Sequence, residues 1–110
     1  MAKICVLTDL EIPKGRESRE HMLPKSRVGR NIWTDPRNIF YAHSKVNEIK
    51  SNLLPCEFEE LKFKLTYNAL VNWNLTQSDR LFLRKALDHW EDIDVDPCKL
   101  CLLQCNQRSR

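Results

Sequence analysis

Five prolines, Pro13, Pro24, Pro36, Pro55 and Pro97, limit how long any element of this chain can be. A proline inside a helix removes a backbone hydrogen bond and clashes with the preceding turn, and it biases the residue before it away from helical backbone. Four of the five fall at or before position 55, so the first half is restricted to short elements. Between Pro55 and Pro97 the chain runs without such a break, and its apolar spacing is helical.

Residues 3–8, KICVLT, mix β-branched and apolar types and predict a short strand. Pro13 and Gly15 predict a turn. Residues 21–26, HMLPKS, predict a second extended piece, because Pro24 disfavours helix at Leu23. Residues 27–37 are polar, contain Gly29 and Pro36, and predict an exposed loop; residues 38–43, NIFYAH, are short and apolar. A helix is predicted over residues 44–54, with Ser44 as N-cap, Val46, Ile49 and Leu53 on one face, and Pro55 as its stop. The first half therefore reads strand, turn, strand, loop, helix.

Phe58, Leu61, Phe63 and Leu65 open the helical second half. Thr76 and Asp79 have the spacing of a capping box. Beyond them Leu83, Leu87 and Trp90 line one face, which Phe82, Ala86 and Ile93 widen. The expected fold class is α+β, with segments 1–55 and 56–110 packed as one domain.

The charge is unevenly placed. Residues 1–55 carry ten Lys/Arg against six Asp/Glu, and residues 56–110 carry eight against nine. A basic half suits a polyanion such as nucleic acid, which is met first through its phosphates. No apolar run approaches the roughly 18–20 residues of a membrane span, and the opening residues lack a signal-peptide pattern. The expectation is an intracellular protein, cytoplasmic or nucleoid-associated, with no membrane partner. Five cysteines in that setting read as thiols or metal ligands rather than disulfides.

The chemistry-bearing residues sit close together in the basic half. Glu20 and His21 are adjacent, and residues adjacent on a strand point to opposite faces unless the strand end is twisted or bulged. Asn47 and Lys50 are three apart on the predicted helix and share a face, with His43 one turn before Asn47. A carboxylate, an amide and an imidazole of this kind would ligate a hard divalent cation, magnesium or manganese. A neutral His21 would deprotonate water, the metal would stabilise charge on a phosphodiester, and Lys50 would hold a phosphate oxygen.

Glu20-His21-x-x-Pro24-x-Ser26, then Asn38, then Asn47-x-x-Lys50, resembles the HNH or His-Me finger endonucleases, whose ββα-metal core is a hairpin followed by a helix. The resemblance covers residues 4–54, and Asn47 follows Asn38 at the family's usual spacing of nine. It implies His21 as general base, Glu20 and Asn47 as metal ligands, Asn38 as the residue bracing the histidine loop, and Lys50 beside the substrate phosphate. DNA is the implied partner, with RNA left open, and a homodimer is expected if the cuts are staggered double-strand ones.

Some positions depart from that pattern. Many HNH proteins carry two Cys-x-x-Cys knuckles for a structural zinc. Here Cys5 is followed by Thr8 at the second position, and His43 and Val46 occupy the other pair. Val28-Gly29 stands where Gly-Gly is frequent. A separate zinc set would be Cys98, Cys101 and Cys105 in Cys-x2-Cys-x3-Cys spacing, with Cys5 or Cys56 as fourth ligand. Arg27, Arg30 and Arg37 are expected phosphate contacts, and Trp33 between them would contact DNA or fold back on the core. The alternative function is a non-catalytic nucleic-acid-binding or ribonucleoprotein protein that keeps the fold. A third is an adaptor stapled by zinc through its C-terminal cysteines.

Overall fold

A computed structural model describes residues 3–93 and 95–102. The element order is β1 (Glu17–His21), α1 (Arg30–Trp33), a 3-10 turn at Pro36–Asn38, β2 (Ile39–His43), α2 (Ser44–Lys50), α3 (Pro55–Asn72), α4 (Gln77–Asp92) and a 3-10 turn at Pro97–Leu100. It is a mixed α+β fold in which β1 and β2 form a two-stranded antiparallel sheet. Glu17 lies opposite His43 at one end of the ladder, and His21 lies opposite Ile39 at the other. Among the described residues no helix is long and apolar enough to cross a membrane.

The strands are not where residue preference alone puts them. Residues 3–8 form a tight turn and an isolated bridge, Ile4 to Glu11, instead of a strand. Cys5 accepts backbone bonds from Thr8 and Asp9, and its own N–H reaches Leu10, so the segment folds back on itself. That reversal lets both Cys5 and Leu7 enter the core. The extended piece expected at residues 21–26 also moves. Extension ends at His21, and Arg27 N–H closes a turn on the Pro24 carbonyl. β1 itself, ESREH, contains no strong strand former. It is held by β2, whose Ile39, Phe40 and Tyr41 are of the types that favour a pleated surface.

The helix boundaries follow capping chemistry. α2 begins after His43, whose Nδ1 accepts the Lys45 N–H at 3.1 Å, so His43 rather than Ser44 is the cap. The helix stops at Lys50, and Ser51 takes a left-handed φ of 51°, which reverses the chain before Pro55. Pro55 therefore does not terminate a helix. It starts α3, where its missing N–H is no loss, and the Glu57 carboxylate accepts the Leu54 N–H at 2.9 Å. At α4 the Thr76 hydroxyl accepts the Asp79 N–H at 3.1 Å, but the reciprocal half of the capping box is missing. Asp79 has a competing partner, Arg16, which donates to it twice at 2.9 and 2.7 Å.

The two halves share one core. Cys5, Leu7, Met22, Ala42, Val46 and Ile49 meet Phe58, Ala69, Phe82, Leu83, Ala86, Leu87 and Trp90. The Trp90 indole N–H donates to the Leu7 carbonyl at 3.0 Å, and both Phe58 and Phe63 lie edge-on to its ring. Phe82, Leu83, Ala86, Leu87 and Trp90 are all buried, as their helical spacing predicts, whereas Ile93 lies beyond the helix and is exposed.

Candidate active site

β1 delivers Glu20 and His21 to different sides of the sheet. Ser18 and Glu20, two apart, face α2, where Asn47 and Lys50 lie three apart on one face. Asn47 Nδ2 donates to Ser18 Oγ at 2.8 Å, and Lys50 Nζ lies 2.8 Å from Glu20 Oε2. Glu20 and Lys50 are 2% and 0% exposed. Burial pushes the Glu20 carboxyl above its ordinary range, with the Lys50 ammonium opposing the shift. A pair so enclosed is costly to break from either side, because the charge left behind is unpaired.

This arrangement corrects the expected role of Lys50. Its ammonium is sealed between Glu20 and the His21 carbonyl oxygen, 3.4 Å away, rather than presented to a phosphate. Glu20 Oε2 nevertheless makes no well-aligned hydrogen bond, since the ammonium approaches it off the bonding direction. Asn47 uses its NH2 toward Ser18 and Arg19, which leaves the amide oxygen as an acceptor. A carboxylate and an amide oxygen on one side of the sheet are the described groups whose chemistry fits magnesium or manganese. Lys50 is the cation that such an ion would have to displace.

His21 is half-buried at the open end of β1. Its imidazole is held below the usual pKa by burial and by the positive charges of Lys25, Arg19 and Lys50. The ring meets Trp33 in a T-shaped contact with centroids 6.0 Å apart, and the Lys25 ammonium lies 4.7 Å over the same Trp33 ring. Behind it Asn38 is buried. Its Oδ1 accepts the Leu23 N–H at 2.8 Å, its Nδ2 donates to the Leu23 and Trp33 carbonyls at 3.0 and 3.3 Å, and its backbone carbonyl accepts the Met22 N–H. One amide thus pins the loop that follows His21.

His43 is not part of this group. It stands at the opposite end of the ladder, four residue steps or about 13 Å along the strands. It is 0% exposed, stacked on Phe82 with centroids 4.1 Å apart, and its Nε2 is 3.5 Å from Asp79 Oδ1. Desolvation lowers its pKa to about 4, against the opposing pull of Asp79. Its Nδ1 caps α2 and its Nε2 faces Asp79, so both ring nitrogens are turned to groups other than Glu20 and Asn47.

The zinc expectation gains no cluster. Among the described residues no three His, Cys, Asp or Glu side chains are grouped to hold a metal. Cys5 is buried and its Sγ accepts the His43 N–H at 3.4 Å, and Cys101 is buried near the end of the described chain. Cys98 follows Pro97 in the last turn, and Cys105 lies outside the described residues.

Two of the three arginines expected on phosphate are already engaged. Arg27 forms a double hydrogen bond to Glu57 at 2.8 and 2.9 Å, tying the histidine loop to the start of α3. Arg37 does the same with Asp35 at 3.1 and 2.7 Å. Arg30 is exposed. The positive charges that act on His21 include Lys25 and Arg19, which residue spacing does not single out, beside Lys50. Strand alternation was the available signal for Arg19, two residues before His21; for Lys25 there was none. No family profile, curated protein or solved structure matches the chain.

Proposed function

We propose that this chain is a metal-dependent endonuclease of the HNH, or His-Me finger, type, hydrolysing phosphodiester bonds in DNA with His21 as general base. The observation that carries this is the setting of His21: a half-buried imidazole at a strand end, edge-on to Trp33 and under the positive charges of Lys25 and Arg19, with its loop pinned by the buried Asn38 amide. Burial, and after it the positive charges of Lys25 and Arg19, favours the neutral imidazole, the form that accepts a proton from water, and the same charges attract a phosphodiester. The succession of two antiparallel strands and a helix, β1, β2 and α2, with α1 and a 3-10 turn between the strands, is compatible with this reading.

Glu20 and Asn47 would hold the divalent ion, magnesium or manganese, which supplies charge stabilisation for the developing phosphorane. Asn38 keeps the loop rigid and touches no substrate. Lys50 neutralises Glu20, and it would have to move off the carboxylate for a cation to be held there.

The Glu20–Lys50 pair also favours a second reading. A carboxylate already matched by a buried ammonium needs no metal, and such a protein would bind nucleic acid without cutting it.

Supercoiled plasmid incubated with the protein and magnesium, beside EDTA and His21→Ala controls, separates the two. Nicking that both controls abolish supports the nuclease, with a loss of about 10²–10⁴-fold in rate for His21→Ala. Retarded but intact plasmid with magnesium and with manganese, and equally intact single strands and RNA, moves the assignment to the binding protein.

A further inference from the structure

We propose that Trp33 is a positioning residue for His21, fixing the plane in which the imidazole meets its substrate. The T-shaped contact, at 6.0 Å and an interplanar angle of 73°, restrains rotation of the His21 ring about its last side-chain bond. Edge-to-face geometry of this sort is preferred by the aromatic quadrupole over a parallel sandwich.

The backbone under Trp33 is built to hold it there. Trp33 N–H donates to the Gly29 carbonyl, Thr34 Oγ1 donates to the Arg30 carbonyl, and Asp35 caps the next turn by accepting the Arg37 N–H. Asn38 Nδ2 then joins the Trp33 carbonyl to that of Leu23, two residues past His21. The same amide therefore sets both sides of the contact. The Lys25 ammonium also sits 4.7 Å over the indole, a second contact on the ring.

The catalytic consequence rests on the nuclease reading; the contact itself does not. In NMR spectra the His21 ring protons carry a ring-current shift from Trp33. Trp33→Ala removes that shift and broadens the His21 resonances, and Trp33→Phe restores most of it. Trp33→Leu keeps the apolar bulk of the loop and replaces the alanine chain if that chain does not fold. In plasmid nicking, Trp33→Ala lowers kcat by about ten- to a hundredfold with KM within about twofold, and Trp33→Phe recovers it.

His21 resonances that are the same in the wild type and both ring-deleted variants overturn the proposal. So does a rise in KM with kcat intact, which would make Trp33 a base-stacking residue. A wild-type protein that cuts nothing sinks the nuclease reading alone, while the His21 resonances still decide whether Trp33 orients the ring.

Discussion

The two ends of one short sheet carry a histidine each, and they have opposite surroundings. His21 closes β1 beside a half-open rim with Arg19 and Lys25. His43 closes β2 in a sealed interior, stacked on Phe82, next to Asp79, with its Nδ1 used to cap α2. Both are strand-terminal, both have lowered pKa values, and desolvation is the first cause in each. Only the neighbours differ. At one end a cationic rim and a pinned loop leave an imidazole accessible; at the other, α4 docks on the ring and converts it to a packing element. A histidine at a motif position acquires a role from what is packed against it.

The largest test of this contrast is paired substitution. His43→Ala removes a buried ring, a stack and a helix cap, and destabilises by about 3–5 kcal/mol in urea unfolding. His21→Ala changes stability by less than about 0.5 kcal/mol, since its ring sits at a half-open rim. Equal losses at the two positions would dissolve the distinction.

Acid unfolding tests the sealed end next. The folded protein holds His43 neutral down to about pH 4, whereas an unfolded histidine titrates near 6.5. Protonation therefore favours the unfolded chain. This contribution is fully retained above pH 6.5, and about 3 kcal/mol is lost as the pH falls through 6.5 to 4. Comparison with His43→Gln isolates it: the wild type's stability advantage at pH 7 shrinks by that amount at pH 4. An advantage that does not shrink means that the site is wetter than its burial indicates.

The smallest effect is expected on the loop outside both ends. Arg37→Gln removes an exposed pair with Asp35 and shifts the melting free energy by no more than about 0.5 kcal/mol. It also leaves the salt dependence of nucleic-acid binding near that of wild type, because Arg37 is already engaged. Arg19→Gln and Lys25→Gln reduce that slope by about one each if they meet phosphates. A loss at Arg37 as large as at Lys25 would move the binding face onto the loop.

Parts of this were legible beforehand. The α4 face was read from Phe82, Leu83, Ala86, Leu87 and Trp90, because a 3.6-residue period survives in any tertiary context. Asn38 bonds to Leu23 across fifteen residues of chain, a reach that local pattern does not record. β1 was misplaced because ESREH has no strand preference of its own and borrows its extension from β2. Pro55 opens α3 instead of closing α2, since the same missing N–H that ends one helix is harmless at the start of the next.

Local periodicity, turn residues and caps act over three or four positions, so residue pattern alone carries the helical second half, the short mixed elements of the first half and the place of Asn47 and Lys50 on one helix face. Which charges neutralise one another was decided only by tertiary structure. Lys50 meets Glu20 and Arg16 meets Asp79, a separation of 63 residues in the second case, and His43 is sealed by a helix that begins at Gln77. Such pairs form when packing brings distant elements together and excludes water, and spacing along the chain carries no record of that. Lys50 read as a phosphate contact and His43 as a ligand for this reason: both residue types suit the chemistry, and only the folded interior takes them away from it.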